Sequence, residues 1–77
     1  MAIETVGKYQ IHLLAYEVPG TTKWDAFLTM SRFDDATQDF VNVVEKEPVA
    51  AHSWDSYDDA IEAARRFANA MIRERGD

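Results

Sequence analysis

Residues 53–77, "SWDSYDDAIEAARRFANAMIRERGD", carry the clearest structural signal of the chain, because they form its longest segment with a helical repeat. Its apolar residues recur at steps of three and four, which aligns them in one stripe along a helix of about four turns. The stripe is formed by Tyr57, Ala60, Ile61, Ala64, Phe67, Ala68, Met71 and Ile72. The pattern predicts an amphipathic helix that packs by this stripe against the rest of the chain.

The ends of this helix carry residues that stabilise helix termini. Ser56 is suited to cap the first turn, and Asp59 three residues later completes a weak form of the capping box. Asp58 and Asp59 also place negative charge at the positive end of the helix dipole. Gly76 can terminate the helix, because glycine adopts the left-handed conformation that ends many helices.

The arginines of the helix allow two interpretations, a recognition helix for phosphate groups or a scaffold helix whose charges stabilise itself. Arg73 and Arg75 lie at the negative end of the helix dipole. Glu62 precedes Arg66 by four residues, the favourable order for a surface ion pair. Only Arg65 has no local role. The pattern favours the scaffold interpretation.

Three segments before the helix are rich in β-branched and aromatic residues and predict strands at residues 9–18, 23–33 and 38–46. The short links "PGTTK" and "DDAT" between them favour an antiparallel meander in chain order. We therefore predict an α+β fold, a single β-β-β-α domain over residues 1–77. Its three-stranded antiparallel sheet carries the C-terminal helix on one face.

Two details of the strands stay open at this point. A short extra strand can form at residues 3–7 or at residues 49–53. The apolar residues of the first predicted strand also change phase at Leu13 and Leu14. This change indicates either a bulge or a strand that is covered on both faces near its end.

The composition describes a small acidic protein with enough apolar residues for a core. Of the 77 residues 47% are hydrophobic and none is cysteine, so disulfides and thiolate metal sites are excluded. The net charge is −6 and is unevenly distributed, with −7 on residues 1–59 and +1 on residues 60–77. Because nucleic acids and anionic membranes attract cationic surfaces, this charge disfavours both as partners.

The chain shows no targeting or membrane-spanning signal. The opening "MAIETVGKYQ" lacks the basic segment and apolar core of a signal peptide. No apolar run approaches the roughly 18–20 residues that a membrane span needs. Together with the lack of cysteine, these features predict a soluble cytoplasmic protein.

The residue types that usually carry catalysis or bind metals are not arranged for either. His12 and His52 are distant in sequence, and neither has a second ligand at helical or hairpin spacing. The acidic runs at 34–35 and 55–59 lack the pattern of a calcium loop. No glycine-rich phosphate loop and no serine in an activating setting is present. We predict no metal, no cofactor and no enzymatic activity.

A sheet with one helix on it has a second face that needs another cover. The clean alternation of the second predicted strand turns one set of residues toward the helix: Trp24, Ala26, Leu28 and Met30. Phe27 then projects from the opposite face. Tyr16 and His12 join it there if the first strand keeps its even-numbered phase. Alternatively, the N-terminus or the loop at residues 48–54 covers Phe27.

Residues 53–68, "SWDSYDDAIEAARRFA", resemble a segment of small acidic antitoxins of the HicB type. Those proteins pair a strand meander with a helix that has a short polar residue and an acidic, alanine-rich first turn. The resemblance covers about a quarter of the chain, and the family's aromatic–acidic–proline–glycine stretch after the second strand is absent. The whole chain is similar to small uncharacterised β-β-β-α domains of bacterial genomes.

The layout also resembles the DNA-binding domain at the start of tyrosine-type integrases, which reads the major groove with its sheet. This chain departs from that family, because its sheet half carries the charge of −7.

These observations predict a noncatalytic interaction module that binds a protein partner, or a second copy of itself, through the open sheet face. Tyr16 and Phe27 are the expected contact residues, and Trp54 joins them if it is exposed rather than fastening its loop to the sheet. The alternative is an antitoxin-like or regulatory protein that contacts a basic partner or nucleic acid. In that case Arg65 and Arg66 are the expected contact residues.

Overall fold

A four-stranded antiparallel sheet with one helix on one of its faces forms the protein in the computed structural model, which describes residues 2–75. The elements are β1 (Ala2–Val6), β2 (Tyr9–Glu17), β3 (Trp24–Asp34), β4 (Asp39–Pro48) and α1 (Tyr57–Arg75). The strands follow one another across the sheet in chain order. The predicted α+β meander with a C-terminal helix is confirmed, whereas the predicted number of three strands is wrong.

The strand missing from the prediction is β1, at the segment that the sequence left open as residues 3–7. Val6 lies opposite Tyr9, so Gly7 and Lys8 form the whole connection between β1 and β2. Gly7 has a φ of 58°, which the first position of a two-residue type II′ turn requires and which glycine adopts without a steric penalty. The chain therefore reverses here instead of extending β2 backwards.

The core lies between α1 and the facing sides of β2, β3 and β4. Its buried residues are Tyr9, Ile11, Leu13, Ala26, Leu28, Met30, Val44, Ala60, Ile61, Ala64 and Ala68. Three of the helix residues are alanines spaced four apart, which form one line on the helix surface. Their small side chains let the helix approach the large residues of the sheet closely. The predicted apolar stripe is confirmed, since its other members pack partly buried against the same core.

The start of the helix agrees with the predicted cap. The Asp59 backbone N–H donates a hydrogen bond to the Ser56 hydroxyl oxygen at 3.1 Å. This bond satisfies one of the backbone donors that the first turn of a helix leaves without an intrahelical partner. Gly76, the predicted terminator, lies outside the described residues.

Irregular pairing occurs between β3 and β4 rather than in β2. The register of β2 on β3 runs without a shift from Tyr9 opposite Arg32 to Glu17 opposite Trp24, so β2 has no bulge at Leu13 and Leu14. The register of β3 on β4 shifts on both sides of Met30. Bulges of this kind increase the local twist, which suits β4 as an edge strand.

Candidate functional site

The open face is the side of the sheet that points away from α1, and its residues alternate along the strands with those of the core. It consists of Ile3 and Thr5 of β1, Gln10, His12, Leu14 and Tyr16 of β2, Asp25, Phe27, Thr29, Ser31 and Phe33 of β3, and Phe40, Asn42, Lys46 and Pro48 of β4. None of these residues is buried, and among residues 2–75 no helix or strand crosses this face.

The aromatic pair, Tyr16 and Phe27, lies near one end of the open face. The two ring centroids are 5.6 Å apart at an interplanar angle of 63°, an edge-to-face contact. Phe27 has two cross-strand neighbours, Leu14 of β2 on one side and Pro48 of β4 on the other. These neighbours leave Phe27 half-buried, while Tyr16 keeps 45% of its surface exposed.

A lysine from the edge strand lies over both rings of the aromatic pair. The Lys46 ammonium nitrogen is 4.3 Å from the Tyr16 ring centroid and 5.3 Å from the Phe27 ring centroid. Both distances are within the range of cation–π attraction. The aromatic pair therefore accepts a cation on the side that faces solvent.

Asp25 adds a carboxylate next to the aromatic pair. It lies directly opposite Tyr16 in the register of β2 and β3. The Ser53 hydroxyl donates a hydrogen bond of 2.7 Å to Asp25 Oδ1, which fixes the orientation of this carboxylate on the open face. Tyr16, the Lys46 ammonium above its ring and the oriented carboxylate of Asp25 therefore lie together as one group on the open face.

A second aromatic contact lies at the other end of the open face. The rings of Phe33 and Phe40 are 5.4 Å apart at 74°, and Phe40 is 45% exposed. A polar row separates this contact from the aromatic pair, because the Ser31 hydroxyl bonds Asn42 Oδ1 at 2.9 Å. Sequence reasoning missed Phe33, Phe40 and Lys46 as members of the open face. Phe33 shares the odd-numbered phase of Phe27, so the alternation contained a signal for it.

Trp54 does not lie with the aromatic pair. Its backbone exchanges two hydrogen bonds of 2.8 Å with Trp24, an isolated antiparallel bridge beyond the end of β4. Directly opposite residues of such a bridge point to the same side of the sheet, and Trp54 packs with Trp24 against the core. Trp54 therefore fastens its loop to the sheet on the helix side. This single bridge replaces the strand considered at residues 49–53.

Arg65 was predicted to have no local role, which is wrong, because it pairs with Glu62 three residues before it on the helix. It also links the helix to β1. Its Nε and Nη2 atoms lie 2.8 Å and 2.7 Å from Glu4 Oε2, and its Nη1 donates to Glu62 Oε1 at 2.7 Å. The hydrogen bond to Glu4 is the main reason that the pKa of the Arg65 guanidinium is raised above its ordinary value. The side chain of Arg66, in contrast, is 81% exposed, with its Nε 3.6 Å from Glu62 Oε2.

A cavity of about 350 Å³ lies on the helix side of the sheet. Its described lining consists of Val6, Gly7, Lys8, Tyr9, Arg32 and Ile72. The Arg32 guanidinium carbon is 6.0 Å from the Tyr9 ring centroid, and Arg75 Nε donates to the Tyr9 hydroxyl at 3.3 Å. The described lining includes neither a histidine nor a carboxylate side chain.

Two absences among residues 2–75 concern metal ligands and membrane-spanning helices. No group of three or more histidine, aspartate or glutamate side chains is placed to hold a metal ion in this part of the chain. Nor do residues 2–75 include a helix with the length and apolarity for crossing a bilayer.

No family model, curated protein or solved structure matches this chain. The resemblance to HicB-type antitoxins therefore stays a prediction, as does the similarity to small bacterial β-β-β-α domains.

Proposed function

We propose that this protein is a noncatalytic interaction module that binds a protein through the open face, either a different partner or a second copy of itself. The observation that carries the proposal is the aromatic pair, which lies half-exposed on a face without a covering element in residues 2–75. Exposed apolar patches mark interaction sites. Tyrosine and phenylalanine are also enriched at the centres of protein interfaces.

The placement of the other predicted residues narrows the contact region. Trp54 packs on the helix side and Arg65 is bonded to Glu4 and Glu62. Tyr16 and Phe27 therefore remain as the contact residues of the proposal, and Lys46 joins them.

The test is recovery of a partner from the native host with tagged wild-type protein and two variants. Phe27→Glu places a charge within the aromatic pair of the open face, and Asn69→Glu adds the same charge at an exposed helix position. We expect Phe27→Glu to lose the partner and Asn69→Glu to keep it. Circular dichroism of both variants verifies the fold. Equal recovery with both variants would contradict the proposal.

Self-association is the second arm of this test. Sedimentation velocity over a concentration series up to high micromolar separates a homodimer from a monomer that needs another partner. If a dimer forms, Phe27→Glu should abolish it and Asn69→Glu should not. A dimer that both variants retain would place the interface elsewhere.

The alternative of a nucleic-acid contact has less support from the contacts of the helix. Arg65 is bonded to Glu4 and Glu62, which leaves Arg66 as the more exposed of the two candidate arginines. A titration with duplex DNA at low salt tests it, since a phosphate contact would shift the NMR signals of Arg65 and Arg66. Unchanged signals would exclude this alternative.

A further inference from the structure

We infer that the open face binds a basic protein segment, one arginine of which stacks on the aromatic pair in the place that Lys46 takes in the unbound protein. This inference rests on the proposed function and specifies its partner. It starts from the observation that the aromatic pair already holds a cation, at 4.3 Å from one ring centroid and 5.3 Å from the other. The rings are therefore placed and exposed to receive one.

Lys46 is suited to be exchanged for a cation of the partner. It is an exposed residue of the edge strand β4, and a lysine side chain is long, flexible and strongly hydrated. An exposed cation–π contact is a weak interaction. Moving the Lys46 ammonium into solvent therefore costs little, while its stem can still cover the apolar surface around the rings.

The charge of the chain selects a basic partner. The net charge is −6, and residues 1–59, which include the whole sheet, carry −7. Asp25 is the carboxylate of the open face itself, opposite Tyr16, and exposed Glu45 and Glu47 belong to the adjoining edge strand β4, with Glu47 opposite Leu28 on the helix side. A chain with this net charge attracts cationic segments and repels nucleic acid. A second copy of the chain brings the same negative charge, so it is disfavoured as the occupant.

Arginine fits this group of residues better than lysine does. Its planar guanidinium stacks on the face of an aromatic ring and at the same time donates hydrogen bonds from its edge, in its own plane. Asp25 supplies the acceptor, because a carboxylate has two oxygens and the hydrogen bond from Ser53 goes to Oδ1. Stacking on Tyr16 together with a bond to Asp25 is a combination that a lysine ammonium cannot match.

The test uses short oligoarginine and oligolysine peptides of equal length, with affinities measured by isothermal titration. Tyr16→Leu removes the ring without changing charge, and Phe40→Leu is its matched control, since both residues are 45% exposed on the same face. We expect Tyr16→Leu to weaken oligoarginine binding about 2- to 5-fold, the strength of an exposed cation–π contact. Phe40→Leu should leave the affinity unchanged. Equal effects of the two variants would overturn the inference.

Lys46→Met supplies the second measurement, because it removes the internal cation and keeps an apolar side chain. We expect it to strengthen oligoarginine binding more than Arg66→Met, which removes one positive charge from the exposed side of the helix. An equal gain would mean that only net charge matters and would overturn the inference. Oligolysine binding at least as tight as oligoarginine binding would also overturn it.

These outcomes are separable from those of the proposed function. If Phe27→Glu loses the native partner while Tyr16→Leu and Phe40→Leu bind oligoarginine equally, the open face is an interface but its partner is not the arginine segment inferred here. If Phe27→Glu still binds the native partner, the proposed function and this inference are both wrong.

Discussion

Leu13 and Leu14 are neighbours in β2 with the same side chain, and they lie on opposite faces of the sheet. Leu13 is fully buried against α1, whereas Leu14 is half-buried beside Phe27 on the open face. The helix side is a closed hydrophobic core, and the open face is a mixed surface of rings, hydroxyls and charges. The comparison shows that the phase change at these leucines reflects two apolar faces of unequal burial and not a bulge.

The largest expected effect tests the difference in burial between the two faces, by truncation of Leu13 and Leu14 one at a time. Leu13→Ala should lower the free energy of unfolding by about 2–5 kcal/mol, because it opens a cavity in the core. That is a large part of the total of about 4–12 kcal/mol expected for a protein of this size. Leu14→Ala should cost only about 1 kcal/mol, since partial burial removes less apolar surface from water. Urea denaturation of both variants measures the difference, and equal losses would contradict the assignment of the faces.

The helix side depends in turn on the start of α1, which Ser56 caps. Ser56→Ala should destabilise the protein by about 1 kcal/mol, because the Asp59 N–H loses its acceptor. Ser56→Asp is the control, since aspartate also caps helices well and should retain most of the stability. Thermal unfolding followed by circular dichroism gives both values. A full loss in Ser56→Asp would show that the hydroxyl acts in some way other than capping.

The ion pair of Arg65 with Glu4 tests the edge of the helix side, because it joins β1 to the helix. A double-mutant cycle with Arg65→Met and Glu4→Gln should give a coupling free energy of about 0.5–1 kcal/mol, in line with partly exposed pairs. The coupling should fall as salt is added. The cycle for Arg66 and Glu62, which are 3.6 Å apart at an exposed position, is the reference and should give less. A coupling free energy for Arg65 and Glu4 below that of Arg66 and Glu62 would show that the Arg65–Glu4 pair does not hold β1 to the helix.

The smallest expected effect lies outside both faces, where Lys8 pairs with Asp35 between two turns at one end of the sheet. The hydrogen bond from Lys8 is the main cause that lowers the pKa of the Asp35 carboxyl below its ordinary value. Lys8→Met should raise that pKa in an NMR titration and leave the pKa of Asp55, which Lys23 lowers, unchanged. A pKa lowered by folding means stability that is present above the unfolded-state pKa and is lost as pH falls through the folded-state value. Below about pH 4 the wild type should therefore lose the small advantage it has over Lys8→Met.

Much of the helix side of the sheet could be predicted, because the sequence patterns that indicate it are local. The stripe of α1 and the alternation of β3 are periodic patterns within single elements, and they identify helix-facing residues such as Ala64 and Leu28 directly. The position of Phe27 on the open face follows from the same alternation. The position of Tyr16 was predicted only on the condition that β2 keeps its even-numbered phase, and the unshifted register of β2 on β3 meets this condition. The contact of these two residues with each other and with Lys46 could not be predicted, because it depends on the register of three strands.

Local patterns were enough to predict a helix over the last quarter of the chain, strands before it, and the sign of the charge on the sheet half. Only the folded chain showed that β1 is a separate strand, that Arg65 pairs with Glu4 and that Trp54 packs on the helix side. Glu4 and Arg65 are 61 positions apart in the chain, and no local pattern encodes such a pair. The periodicity of apolar residues arises from the geometry of a single helix or strand. Contacts between residues of different elements depend on how those elements pack, so only the folded chain shows which residues meet.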